Sequence, residues 1–219
     1  MALAVGAAGL SLAVVGAASF RPFAAPEVGY VPDAHAEITV SAPVDVGETE
    51  RRVVQPTVAE PSRKTPKLAP PVRLELPSLG LSAEVVPVAV DGDGALEVPA
   101  NPDVLGWWSS GARPGQGQGS ILIDGHIDSA TEGLGTFVRL RELEPGDPVL
   151  TQSASGDVHQ YRVTGRRQYA KAALPADEVF SQVVHERLVL ITCGGHFDAN
   201  AGGYADNVVV FAEPDASSI

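Results

Sequence analysis

A single cysteine and five histidines are the residues from which a nucleophilic pair can be built in this sequence. Cys193 directly follows the run Leu188–Thr192, and His126 directly follows the largely apolar run Ile121–Gly125. Both residues are therefore expected at the ends of buried strands. A thiol becomes an effective nucleophile when a nearby imidazole takes its proton. The pair predicts cysteine-based acyl transfer, and a buried structural cysteine is the alternative interpretation.

Glycines flank both residues, as expected for a site that a peptide approaches closely. Gly194 and Gly195 follow Cys193, and a residue without a side chain leaves room for a substrate backbone. His196 stays open as a second neighbour of the thiol, although an exposed loop position is the favoured interpretation. The other histidines are expected in a proline-rich segment or on the surface: His35, His159 and His185.

The segments that must position the pair are short and separated by turn signals. From Pro71 onwards, apolar residues alternate with polar ones or form short buried runs, which predicts about eight strands. Asp147–Thr151 and Val158–Thr164 are expected to pair as a hairpin. Short helices are expected at Phe137–Leu143 and Ala176–Val184. The predicted fold class is mainly β, a closed or nearly closed barrel, because closure removes exposed strand edges.

Composition excludes several classes of function. The formal net charge of −12 argues against a general nucleic-acid binder, which needs a basic face to neutralise phosphates. One cysteine rules out an internal disulfide framework and any metal site built on a cysteine cluster. The Asp91–Gly94 segment is interpreted as a turn rather than a calcium loop, since the glutamate of an EF-hand is missing. No metal or cofactor is expected.

The N-terminal part of the chain differs from the rest. Residues 3–20 are uncharged and, as a helix, would span about 27 Å, which suits a secretory signal or a membrane anchor. A buried core helix is the alternative. Residues 21–70 contain eight prolines and are expected to form a disordered spacer. The folded domain is predicted over residues 71–213, with a tail at 214–219.

Several motifs occur together in an order that resembles the sortase family. The sequence is most similar to class F sortases in these segments: Ile123–Asp128, Thr192–Gly195, Phe197–Asp198, Tyr204 with Asp206–Val210, and the region from Val104–Trp108 to Gly119. A strand ending in Gly-His comes first, a strand ending in Thr-Cys follows, and a final apolar strand closes the order. Each motif is weak alone, and the combination is specific.

The resemblance implies a β-barrel cysteine transpeptidase on the outer face of a Gram-positive cell. Such an enzyme cleaves the C-terminal sorting signal of a surface protein after Thr and passes the acyl group to an amine of a cell-wall precursor or a pilin. The resemblance assigns Cys193 as the nucleophile and His126 as the acid and base. It also implies a single N-terminal anchor in the cell membrane, or secretion if the segment is cleaved. A hydrolytic relative and a catalytically weak binding barrel are the alternatives.

The sequence departs from the family in one position that matters. Sortases carry an arginine at the start of the strand after the cysteine, where it positions substrate and helps to stabilise the oxyanion. Here that segment contains Ala205 and Asn207, and no arginine follows Arg187. Three interpretations are open: Asn207 donates hydrogen bonds in its place, Arg139 reaches the site from elsewhere, or the enzyme is weak or inactive.

Overall fold

The computed structural model describes residues 26–32, 68–92, 95–199 and 203–216. The predicted signal or anchor over residues 1–20, most of the predicted spacer and the last residues of the tail lie outside this part of the chain. Within the described part, no helix is long and apolar enough to span a bilayer.

The described chain is a β-barrel, as the sequence pattern predicts. Eight strands follow one another around the sheet in the order β9–β11–β10–β5–β4–β3–β2–β8, and pairing of β8 with β9 closes the barrel. A ninth strand, β1, adds to β9, and β6 and β7 form a separate small ribbon. The strands are β1 Val28–Gly29, β2 Pro71–Leu76, β3 Leu81–Val88, β4 Leu105–Trp108, β5 Ser120–Asp124, β6 Asp128–Ser129, β7 Gly133–Leu134, β8 Pro148–Ser153, β9 Val158–Ala170, β10 Arg187–Asp198 and β11 Gly203–Pro214.

Two apolar clusters lie on opposite faces of the β10 wall. Leu188 and Leu190 belong to the larger cluster, which fills the barrel. Val189 and Ile191 belong to a second cluster on the other face. The alternation follows from the period of two along a strand, and it explains why β10 has a continuous apolar run rather than an alternating one. By the same alternation, Cys193 shares the face of Val189 and Ile191.

The helical segments are shorter than the sequence suggests. The segment predicted as a helix at Phe137–Leu143 is a 3-10 helix, Thr136–Glu142. The helix predicted over Ala176–Val184 is a single turn, α1, Ala176–Val179. It stops there because the backbone carbonyl of Ser181 accepts a hydrogen bond from Ser120 of β5, which draws the chain to the barrel. Two further 3-10 turns are Pro77–Leu79 and Lys171–Ala173.

The first described residues lie on the barrel, although the sequence places them in the spacer. Val28–Gly29 pairs antiparallel with Gly165 and Arg166 of β9. The backbone N–H of Tyr30 donates to Thr164, and the Tyr30 hydroxyl donates to Glu213 at 2.6 Å. We call residues 26–32 the strap. It occupies the edge of β9 at the level where β8 no longer pairs with that strand.

Two fully buried arginines hold the strap at its ends. Arg166 donates to the carbonyl of Pro26 at 3.0 Å, and Arg187 donates to the carbonyl of Pro32 at 2.9 Å. Both side chains are about 1% exposed. A buried guanidinium without acceptors is costly, so these bonds make the strap part of the folded unit.

Candidate active site

Adjacent parallel strands bring His126 and Cys193 to the same end of the barrel. Strands β5 and β10 pair in parallel, with Asp124 opposite Ile191 in the last register pair. The ladder extends one step further, because the Gly125 N–H donates to the Ile191 carbonyl at 3.2 Å. His126 and Cys193 each come two residues after that last register pair, and neighbouring strands lie about 4.8 Å apart. His126 and Cys193 therefore lie at the same rim of the barrel, as the sequence predicts.

Gly125 makes the close packing behind His126 feasible. A side chain at this position would place its first carbon 2.4 Å from Leu105 and 3.0 Å from Phe137. The carbonyl of Gly125 accepts a hydrogen bond of 2.7 Å from the Thr192 hydroxyl, which fastens the two strand ends together. The residues that precede His126 and Cys193 therefore fix the relative position of the two functional side chains.

The imidazole of His126 has one nitrogen engaged by the backbone. Its Nε2 lies 3.0 Å from the carbonyl oxygen of Pro99. A carbonyl only accepts hydrogen bonds, so Nε2 carries the hydrogen and donates. In the neutral ring, Nδ1 is then the unprotonated nitrogen and the one that can take a proton. The Pro99 carbonyl thus selects the tautomer in which Nδ1 acts as a base.

Asn207 is the residue directly across the sheet from Cys193. Strands β10 and β11 are antiparallel, and Cys193 pairs with Asn207 in their register. Residues opposite each other in such a pair project to the same face. In the second apolar cluster, Val209 lies opposite Ile191 in this way, and Phe211 lies opposite Val189. The structure therefore brings together Cys193 and Asn207, one of the two residues proposed from the sequence to replace the family arginine.

Arg139, the other proposed replacement, is engaged elsewhere. Its guanidinium donates to Glu142 at 2.7 Å and to the carbonyl of Leu79 at 3.0 Å. The structure does not bring it to the cavity beside Cys193. Arg141, two residues later in the same 3-10 helix, lines that cavity instead. The sequence could not separate these two arginines because a 3-10 helix turns by a different angle per residue than the expected α-helix.

A cavity of about 430 Å³ lies beside Cys193. Strands β10 and β11 form one wall, and the 3-10 helix with the loop after His126 forms the other. Most of the lining is apolar, and the charged side chains in it are Asp128 and Arg141. The exposed His196, left open by the sequence as a neighbour of the thiol, also lines it. The size of the cavity suits an extended side chain or a short peptide segment.

A short hydrogen bond fixes one wall of the cavity. The Tyr204 hydroxyl donates to Asp128 at 2.5 Å, and the Tyr204 ring packs edge-on against Phe197 at 5.3 Å. The bond to Asp128 raises the pKa of Tyr204 to about 12, and partial burial and the negative charge of Asp128 add to the shift. Tyr204 and Phe197 belong to the motifs that carry the family resemblance, and the structure shows that they pack together.

Gly195 shapes the turn after the nucleophile. Its φ of +77° lies in the left-handed region, and an added side-chain carbon would fall 2.3 Å from a carboxylate oxygen of Asp206. That carboxylate accepts a hydrogen bond of 2.6 Å from Gln168. The turn therefore requires glycine here, and the Cys-Gly-Gly sequence was the signal for it.

Asp124 is a buried acid that the sequence did not single out. It is 3% exposed, and its Oδ1 has no hydrogen-bond partner among the described residues. Burial raises the pKa of Asp124 to about 7, although backbone N–H groups of Asp124 and Gly106 oppose the shift. Gly106 allows this position, because a side-chain carbon there would fall 2.3 Å from Oδ1. One acid in an otherwise apolar strand was the available signal.

The described part of the protein contains no candidate metal site. Among the residues that the structure describes, no group of three or more histidine, cysteine, aspartate or glutamate side chains is arranged to hold a metal ion. The described site consists of a thiol, an imidazole and an amide on one face of three neighbouring strands. Such a set is suited to nucleophilic acyl transfer.

The fold of this chain is similar to that of solved sortase structures. Sortase C-1 from Actinomyces oris is 19% identical, with 65% of this chain and 72% of that chain covered at a TM-score of 0.51. Sortase E1 from Streptomyces coelicolor, solved with a tripeptide in the active site, is 16% identical, with 67% and 88% covered at 0.51. A lid mutant of sortase A from Corynebacterium diphtheriae is 16% identical, with 69% and 74% covered at 0.52. At these identities the likeness concerns the fold.

A comparison of the sequence with protein-family models assigns the chain to a family, which the fold alone does not do. The sortase domain matches residues 74–215, which include β2 to β11 almost completely. No curated protein matches the chain. The match covers more than half of the chain, and it includes His126 and Cys193 at the rim of the barrel. The chain therefore belongs to the sortase family of cysteine transpeptidases.

Proposed function

We propose that the protein transfers the acyl part of a sorting-signal peptide to an amine through a thioester on Cys193. The observation that carries the proposal is the placement of His126, two residues after the end of β5, beside Cys193 of the parallel neighbouring strand β10. The thiol and the imidazole are the groups that such a reaction needs, and the strands hold them rigidly.

In the acylation step, Cys193 attacks the carbonyl carbon of the residue before the scissile bond. His126 takes the thiol proton at Nδ1, and the carbonyl oxygen becomes an oxyanion. Collapse of this intermediate breaks the C–N bond, and His126 delivers its proton to the leaving amine. The products are a thioester on Cys193, neutral His126 and the released C-terminal fragment.

In the second step, an acceptor amine attacks the thioester carbonyl. The amine loses a proton to His126, the C–S bond breaks, and the Cys193 thiolate recovers a proton from His126. The new amide leaves with the acyl group. Water in place of the amine gives hydrolysis, which is the second candidate reaction and uses the same two residues.

We assign oxyanion stabilisation to Asn207. Its side-chain amide carries N–H donors, and it faces Cys193 across the ladder. A neutral amide stabilises a negative charge less than a guanidinium does, so acylation is expected to be slower than in relatives with the arginine.

The proposal also covers the sortase subclass, the location of the catalytic domain and its substrates. We place the protein with class F sortases because its motifs resemble theirs around His126, Cys193 and Tyr204. We place the catalytic domain outside the cell, on the membrane, because residues 3–20 are uncharged and long enough for an anchor. The donor is then a surface protein, and the acceptor is a wall precursor or pilin amine.

Mass spectrometry of the intact protein tests the proposal. A library of peptides with Thr before the cleaved bond is incubated with the wild type, and an acyl adduct on Cys193 is expected within the single-turnover time. Cys193→Ala should give no adduct and no cleavage. Cleavage that persists in Cys193→Ala, or a wild type that forms no adduct with any peptide, overturns the proposal and favours a binding barrel.

A further inference from the structure

The cavity beside Cys193 holds one negative and one positive side chain on a mostly apolar wall. Asp128 is the first residue of β6, and Arg141 lies in the 3-10 helix Thr136–Glu142; both line the wall opposite β10 and β11. Apolar residues make up much of the rest of the lining, including Leu134, Phe137 and Val208. A ligand that fits this lining has an aliphatic body and two polar ends of opposite charge.

The Arg141 side chain has no hydrogen-bond partner within the described part of the protein. No hydrogen bond or ion pair there involves its guanidinium. The pKa of the adjacent Glu142 is lowered first by its hydrogen bond to Arg139, and the charge of Arg141 adds to this effect. Glu142 is itself bonded to Arg139 through two guanidinium nitrogens, at 3.0 and 2.7 Å. Arg141 is thus the described cation in this cavity that keeps all its donors for a ligand.

Asp128 keeps acceptor capacity as well. Its Oδ2 accepts the hydrogen bond from Tyr204, and a carboxylate accepts about four bonds in total. The raised pKa of Tyr204 keeps the phenol protonated, so the hydroxyl donates to Asp128 throughout the physiological range. Asp128 is therefore held in place and can accept a hydrogen bond from an ammonium group or an amine.

From these observations we infer that the acceptor amine of this enzyme carries a carboxylate, which Arg141 binds while Asp128 receives the amine end. The inference rests on the proposed acyl transfer and adds the chemical class of the second substrate. A guanidinium is the side chain best matched to a carboxylate, since it donates two parallel hydrogen bonds. An acceptor with a free carboxylate on its carbon chain is thus preferred to the same amine with that carboxylate blocked.

Two acceptors that differ in one group test this preference. Nα-acetyl-lysine and Nα-acetyl-lysine amide share the ε-amine and the carbon chain, and the first has a carboxylate where the second has a neutral amide. The rate of transfer from a Cys193 thioester to each amine is measured after acylation by a cleaved library peptide. The wild type should prefer the carboxylate form about tenfold, as one charge-assisted bond pair in a partly open cavity allows.

Arg141→Gln should abolish this preference. Arg139→Gln is the matched control, because Arg139 lies in the same helix but is bonded to Glu142 and Leu79. It should keep the full preference. Arg141→Glu should reverse the preference towards the amide form. Thermal unfolding of each variant shows whether the helix is intact.

A binding measurement separates the inference from the proposed function. Cys193→Ala cannot acylate, and NMR titration with the two lysine derivatives reports the cavity alone. Tighter binding of the carboxylate form, lost in Cys193→Ala with Arg141→Gln, supports the inference even if no donor peptide is found. Equal binding and equal transfer of the two amines overturn it. A fall in acylation rate in Arg141→Gln also overturns it, because the arginine would then serve the first step.

Discussion

Asn207 faces Cys193 directly across the β10–β11 ladder, in the segment where the family resemblance expects an arginine at Ala205 or beside it. An amide there supplies hydrogen bonds without charge. The exposed Ala205 lies two residues earlier on the same strand, beyond Asp206, which pairs with Gly194. We therefore propose Asn207 as the residue whose replacement changes the electrostatics of the oxyanion.

Asn207→Arg is expected to raise the single-turnover acylation rate by about 10- to 100-fold, because a charged donor replaces a neutral one. Asn207→Ala should lower the rate by a similar factor. Stopped-flow cleavage of a donor peptide measures both. Ala205→Arg is the matched control, with the same cation two residues further from Cys193. An equal gain in Ala205→Arg would show that long-range charge, and not a bond from residue 207, is responsible.

Asp124 links the stability of the barrel to pH. The folded carboxyl has a pKa of about 7, against an ordinary value of 3.8. The folded state therefore binds the proton more tightly than the unfolded state, and stability is lost as pH rises between these two values. Above pH 7 the cost is on the order of 4 kcal/mol.

Asp124→Asn should consequently raise the unfolding free energy at pH 8 and have little effect at pH 3.5. Urea unfolding at the two pH values measures the difference. The buried Oδ1 without a partner supports a gain, since an amide avoids the burial of a charge. An equal gain at both pH values would contradict the link to ionisation.

The strap is the element that the sequence did not predict. Proline-rich composition favours a spacer, and it says nothing of acceptors for guanidinium groups that come more than a hundred residues later in the chain. Arg166 and Arg187 lie in strands whose neighbours are apolar, and each bonds a strap carbonyl. Burial lowers the pKa of Arg187, which shows the cost that these acceptors offset.

Two truncations test the contribution of the strap. Deletion of residues 1–25 keeps the strap, and deletion of residues 1–32 removes it while all strands from β2 onwards remain. The longer deletion should lower the unfolding free energy by about 3–5 kcal/mol relative to the shorter one, because buried guanidinium donors lose their acceptors. Differential scanning calorimetry of the two proteins measures this. Indistinguishable melting would mean that water replaces the strap carbonyls.

The strands that carry His126 and Cys193 were predictable because their signal is local. Each is a short apolar run that ends in a polar residue beside glycine, and burial on both faces follows from that pattern. The choice between Arg139 and Arg141, the burial of Asp124 and the docking of the strap depend on contacts between distant segments. Hydrophobic periodicity does not encode such contacts, so the structure was needed for them.

At the scale of the whole molecule, barrel closure is what assembles the site. Parallel pairing of β5 with β10 and antiparallel pairing of β10 with β11 bring three functional residues from distant parts of the sequence to one rim: His126, Cys193 and Asn207. The cavity opens beside the nucleophile at the same rim. We therefore propose that acylation takes place at the sheet face and that the acceptor binds in the cavity.

The measurement that tests this account most directly is the acylation rate of Cys193 in His126→Gln compared with His196→Gln. Both histidines lie near Cys193 in the sequence or the fold, but only His126 follows the neighbouring strand β5. His196 is an exposed residue of the cavity wall. The account predicts a loss of about 10²- to 10⁴-fold in His126→Gln and a change within about twofold in His196→Gln. Full acylation in His126→Gln, with loss in His196→Gln, would contradict it.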